Sequence, residues 1–115
     1  MGVSTDYGGS GDFIIQNMSA VSIRVEFTTV PQLGGAVDTS QLILPYSCDT
    51  IFSDAIIGRN VTPATSLSSM KINKDSLGIL ILIYSQDPID ESKWKIEKKY
   101  SGDFGHTDNT FKFTD

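Results

Sequence analysis

Between residues 21 and 28 the chain alternates strictly. Val21, Ile23, Val25 and Phe27 interleave with Ser22, Arg24, Glu26 and Thr28. A period of two over eight residues predicts a strand with one dry and one wet face. Before it, Phe13-Ile14-Ile15-Gln16 is an apolar run of strand length, and Asn17-Met18-Ser19-Ala20 supplies turn chemistry, so the two runs are expected to pair as a hairpin. Residues 30–40, with Pro31, Gly34 and Gly35, form a loop. Gln41–Leu44 is a short strand stopped by Pro45, and Asp49–Ile57 is a further strand. Gly58-Arg59-Asn60 ends it, and residues 61–68, with Pro63, are loop. Ser69–Asn73, with Met70 and Ile72 inward, is linked through Asn73-Lys74-Asp75-Ser76 to Leu77–Tyr84. That last run is apolar on both faces, which predicts one of the most enclosed strands of the fold. Asp87–Ser92 reads as one helical turn, with Asp87 as N-cap and Pro88 at the first helical position. Trp94, Ile96, Lys98 and Tyr100 alternate with Lys93, Lys95, Glu97 and Lys99 in another strand, and Thr110–Thr114, bearing Phe111 and Phe113, closes the chain.

Seven or eight short strands with at most one helical turn predict an all-β antiparallel sandwich, with the immunoglobulin-like arrangement as the expected form. Composition agrees: 29 β-branched residues stand against 4 Ala and 3 Glu, a balance that disfavours helix. A length of 115 residues favours one domain, taken as residues 12–115 behind a polar, Gly/Ser-rich tether at residues 1–11. In the expected core, Val21, Ile23, Val25 and Phe27 meet Ile79, Ile81 and Ile83 from the opposite sheet, capped by Trp94 and Ile96.

Charge and motifs bound the chemistry. A net charge of −5 disfavours nucleic acid, whose phosphates need a cationic face. The longest apolar run, Ile79–Tyr84, is too short to cross a bilayer as a helix. One cysteine, Cys48, allows neither an internal disulfide nor a cysteine-based metal site, and is read as a small core residue. A nucleophile would need His106, the only histidine, within reach of Cys48. His106 is instead read as an exposed residue in the Gly-rich tip 101–109, and no catalytic residue or cofactor is assigned. The acidic residues of two loops, Asp87, Asp90 and Glu91 in 87–92 and Asp103 and Asp108 in 101–109, are the candidate calcium ligands. The spacing lacks the Gly and bidentate Glu of an EF-hand, and turn or cap duties account for such residues as well. Lys93, Lys95, Lys98 and Lys99 read as belonging to a solvated strand whose lysines discourage edge pairing, with Trp94 and Tyr100 on the face opposite Lys93, Lys95 and Lys99. Tyr46, Trp94 and Tyr100 are the available carbohydrate platforms.

Phe13-Ile14-Ile15-Gln16-Asn17, Ser22-Ile23-Arg24-Val25-Glu26, Leu42-Ile43-Leu44-Pro45, Ser92-Lys93-Trp94 and the closing Asn109–Asp115 segment together resemble small exported (lipo)protein domains of Bacteroidetes with an immunoglobulin-like sandwich. The resemblance covers most of residues 12–115 and supplies no catalytic residues. The strand pattern, the polar Gly/Ser leader and the lack of an acid–base set lead to the expectation of a non-enzymatic interaction or structural module, at the cell envelope or secreted, with a protein or glycan partner. To this the resemblance adds a lipid anchor on a removed leader. The lipid-bearing cysteine of such proteins is not in this sequence. The alternatives are a cytoplasmic location and a sandwich that binds a small ligand, glycan or calcium through loops 87–92 and 101–109.

Overall fold

A computed structural model of the chain describes residues 8–30, 35–57, 61–101 and 104–114. Eight strands follow one another as β1 (Gly8–Asn17), β2 (Ile23–Thr29), β3 (Val37–Ile43), β4 (Cys48–Ile57), β5 (Leu67–Ser76), β6 (Ile79–Gln86), β7 (Lys95–Ser101) and β8 (Phe104–Phe113). A one-turn helix at Pro63–Ser66 precedes β5, and a 3-10 turn at Glu91–Lys93 precedes β7. The strands form two four-stranded sheets, ordered β4-β1-β8-β7 and β3-β2-β5-β6. Every pairing is antiparallel except β1 with β8, which run parallel at the centre of the first sheet.

The two sheets share one core. Phe13, Ile15, Phe111 and Phe113 from the first sheet join Ile23, Val25, Phe27, Ile43, Met70 and Ile72 from the second. Trp94 lies between them, edge-on to Phe13 and tilted against Phe111. The inward faces of β2 and β5 are those the alternation indicates, and Ile96 packs at the core margin. The indole N–H of Trp94 donates to Gln86 Oε1 at 3.2 Å, so its polar edge is satisfied in the interior.

Several expectations are corrected. β1 and β2 are not a hairpin, for they lie in different sheets. Asn17, fully buried, explains the crossing: its amide nitrogen donates to the carbonyls of Val21 (2.8 Å) and Leu44 (3.1 Å), while its Oδ1 accepts from the Ser19 N–H and Oγ. One side chain therefore satisfies the backbone where two connections pass between sheets. Gly8–Gly11 run within β1, and residues 1–7 lie outside the described residues. Gly11 is needed there because a Cβ would stand 2.6 Å from Val61 Cγ1. β3 begins at Val37, inside the stretch read as loop.

The largest correction concerns β6. Ile79 and Ile81 are 65% and 51% exposed, and Leu80, Leu82 and Ile83 are exposed as well. β6 is an edge strand, and its first half projects on the β5–β6 hairpin beyond the cover of the first sheet. β6 also lies in the same sheet as β2 rather than the opposite one. The core residues that the other sheet sets against Val25 and Phe27 are therefore Phe13, Ile15, Phe111 and Phe113, with Met70 and Ile72 of β5 beside them in the ladder. The hairpin turns at Leu77-Gly78, both at positive φ (53° and 83°), as a two-residue type I′ loop requires. β5 consequently continues through Lys74-Asp75-Ser76, the segment expected to be the connection.

Candidate functional site

The polar side chains of β1 and β8 converge on the outward face of the first sheet. Alternation inside β8 sends Thr107, Asn109, Phe111 and Phe113 inward, so His106 and Asp108 point outward. Parallel pairing sets Ser10 beside His106 and Asp12 beside Asp108. Ser10 Oγ and His106 Nδ1 are 2.7 Å apart. His106 Nε2 lies 3.0 Å from Asp108 Oδ1 and 3.5 Å from Asp12 Oδ2. Each carboxylate is held from its other oxygen: Ser53 Oγ donates to Asp12 Oδ1 at 2.6 Å, and Lys99 Nζ to Asp108 Oδ2 at 3.2 Å. Partial burial pushes the Asp108 carboxyl up, but the hydrogen bonds from Lys99 and His106, and their charges, outweigh it and hold the group below its ordinary value.

Two chemistries can be read from this cluster. Serine, imidazole and carboxylate stand in the order of a nucleophilic relay. Ser10, however, is mid-strand between β4 and β8, and its neighbouring backbone N–H groups belong to the two ladders rather than to an oxyanion hole. The second chemistry is cation binding. One ligand atom each from Asp12, His106 and Asp108 lies within 4.8 Å of the others. Ser10, Ser53 and Lys99 stand behind them as supports that orient the ligands. An imidazole in the set suits zinc, copper or nickel rather than calcium.

The loop acids behave differently from the expectation. Asp90, not Asp87, caps the turn: its Oδ1 accepts from Ser92 N at 3.0 Å and Ser92 Oγ at 2.6 Å, and these bonds lower its pKa. Glu91 accepts from the Ala64 N–H at 2.8 Å. Asp87 is exposed beside the cis Asp87–Pro88 bond. Asp103 lies outside the described residues, so Asp108 alone of the five calcium candidates joins a ligand cluster among the described residues. His106 is part of a strand rather than of a loop tip. Cys48 is exposed at the start of β4 beside Gln16, six residues along β1 from the partner of His106, which is about 20 Å away. The two cannot act together. Of the carbohydrate platforms, Trp94 is buried and Tyr46 stands exposed at positive φ. The side chain of Tyr100 lies outside the described residues.

On the outward face of the second sheet, an open hollow of about 480 Å³ is lined by Glu26, Thr28, Asp38, Ser40, Ser69 and Lys71. Two of its hydroxyls are already bonded within it, Thr28 Oγ1 donating to Asp38 at 2.7 Å and Ser69 Oγ to Thr28 at 3.2 Å.

The remaining candidate is the edge of β6. Leu77 to Ile83 is aliphatic at every position but Gly78, and all its large side chains are exposed, Leu77 completely. Edge strands normally carry charge or proline against unwanted pairing. β7 has Lys95, Glu97, Lys98 and Lys99, β4 has Asp49 and Asp54, and β3 has Asp38, whereas β6 has no charged residue. No protein family, curated protein or solved structure matches the chain.

Proposed function

We propose that this protein is a non-enzymatic interaction module whose binding element is the free edge of β6. The observation that carries this reading is the run of five aliphatic residues, Ile79–Ile83, exposed along an edge strand. A patch of this kind marks an interaction surface, and an open edge adds backbone hydrogen bonds to its apolar contacts. The immunoglobulin-like description is retained only as an analogy of architecture. An immunoglobulin constant-type sandwich keeps its first and second strands on one sheet, whereas β1 and β2 are divided here. The envelope or secreted location rests on the resemblance to exported domains. A photo-crosslinker at position 80, compared with one at position 97 on β7, tests the reading in the native cell. Adducts from position 80 alone are expected, and none from position 80 would overturn it.

A second reading, cation binding, is favoured by the Asp12–His106–Asp108 geometry. Calorimetric titration with zinc should show one site per chain that His106→Ala abolishes. Equal heats from both proteins would dismiss it.

A further inference from the structure

We propose that the occupant of the β6 edge is a second copy of this chain, paired antiparallel about a twofold axis that passes beside Ile81. This rests on the reading of β6 as the binding edge and adds the identity, register and symmetry of what binds there.

The register follows from the hairpin. A two-residue loop closes on a hydrogen-bonded pair, here Ser76 with Ile79, and bonded pairs then alternate along the ladder. Ile79 and Ile81, opposite Ser76 and Lys74, therefore direct their backbone groups into β5. Leu80 and Leu82, opposite Asp75 and Asn73, direct theirs away from the sheet. An incoming strand must meet the N–H and C=O groups of these two residues. The sequence Ile79-Leu80-Ile81-Leu82-Ile83 reads the same in both directions about Ile81. A second copy turned about Ile81 sets Leu80 against Leu82 of the other chain and Leu82 against Leu80. Both are then hydrogen-bonded pairs with four bonds between them, and the two Ile81 residues form the non-bonded pair at the centre. The phase of the free amides and the centre of the palindrome coincide, as a self-complementary twofold contact requires.

The side chains agree with this pairing. Ile79 and Ile81 share the inward side of the hairpin with Lys74 and Ser76, and Leu80 and Leu82 share the outward side with Asp75 and Asn73. Pairing extends an isoleucine row on one side and a leucine row on the other, with no charge at the seam. The nearest like charges in the central row, Lys74 of each copy, stand three strand spacings apart. That is about 14 Å, beyond the screening length in physiological salt. The register shift that leaves Ile83 without its own partner on β5 limits the seam to Ile79–Ile83. The other three edges, β3, β4 and β7, each carry charged residues, and none has an uncharged run that reads the same in both directions as Ile79–Ile83 does.

Sedimentation of the whole chain at about 1 µM and about 200 µM gives the first test, since occupancy of a self-pairing edge follows mass action. A dimer at the higher concentration is expected. Ile81→Lys, which sets two ammonium groups opposite each other at the axis, should be monomeric there with an unchanged circular-dichroism spectrum. Register is tested by cysteines in a Cys48→Ser background under a mild oxidant. Directly opposite residues of a non-bonded pair are within disulfide reach, whereas residues 79 of the two copies are about 14 Å apart. Ile81→Cys should therefore cross-link to a dimer, Ile79→Cys should not, and mixed Ile79→Cys and Ile83→Cys chains should. A monomeric wild-type mass at 200 µM, or equal cross-linking from positions 79 and 81, would overturn the self-pairing. If position-80 photo-adducts of another mass then appear in the cell, the edge reading survives; if no adducts form at all, it falls too.

Discussion

Replacing Asn17 by alanine removes the side chain that ties together two of the connections between the sheets, β1–β2 and β3–β4. The amide is fully buried, with donated bonds of 2.8 Å to Val21 O and 3.1 Å to Leu44 O and accepted bonds from Ser19 N (3.0 Å) and Ser19 Oγ (2.7 Å). Ser19 Oγ keeps a second acceptor in Val21 O at 3.1 Å, so it loses least. The Ser19 N–H loses its acceptor outright, while Leu44 O keeps the Ser47 N–H at 3.3 Å and Val21 O keeps the Ser19 hydroxyl. At about 1–3 kcal/mol for the unsatisfied N–H and about 0.5–1.5 kcal/mol for each of the two carbonyl bonds lost, the expected loss is about 2–6 kcal/mol. That is a large share of the roughly 5–15 kcal/mol that holds a small domain folded. Urea unfolding followed by Trp94 fluorescence reads it as a lower midpoint at unchanged slope. Asn17→Asp should be no better, because it keeps the acceptor but faces a carboxylate towards two carbonyls. A loss below about 1 kcal/mol for Asn17→Ala would refute the assignment of this residue as the tie between the crossings.

Core and edge should respond oppositely to truncation. Ile72→Ala, at a fully buried position of β5, is expected to cost about 2–5 kcal/mol, whereas Ile81→Ala in dilute solution should stay within about 1 kcal/mol of wild type. Comparable losses in urea would contradict the placement of β6. Gly11→Ala should cost about 1–3 kcal/mol, because the new methyl meets the branched Val61 side chain at 2.6 Å; a neutral result would show that this loop yields. The depressed Asp108 pKa sets the sign of a pH effect. A carboxyl with a lower pKa folded than unfolded contributes stability above its unfolded value and loses it as pH falls through the folded one. The melting temperature of wild type should thus exceed that of Asp108→Asn most at neutral pH, with the gap closing below the ordinary carboxylate range. A gap that widens in acid would reverse the assignment.

What the sequence discloses depends on how local its physical cause is. The inward faces of β2 and β5 are legible because alternation reports a face directly. Isoleucine and leucine on both faces of β6 were equally plain, but the run says only that both faces avoid water. It does not say whether the cover comes from the same chain or from another, and the edge position depends on how strands meet far along the chain. The cluster of Ser10, Asp12, His106 and Asp108 is hidden for the same reason, since a parallel pairing joins residues 96 apart. One signal could have exposed half of it. Extending the Phe111, Phe113 alternation backwards places His106 and Asp108 on one outward face. The Gly-rich start obscured the other half, because its composition suggests a tether while the close approach of Val61 is what calls for Gly11.

Residue-resolved amide exchange of β6 reaches the common premise of these readings. In dilute monomer, the N–H groups of Ile79 and Ile81 should be protected by β5, while those of Leu80 and Leu82 exchange at nearly the rate of an unfolded chain. Protection of all four in a monomeric sample would mean that the edge is covered by its own chain, and the binding element assigned here would not exist.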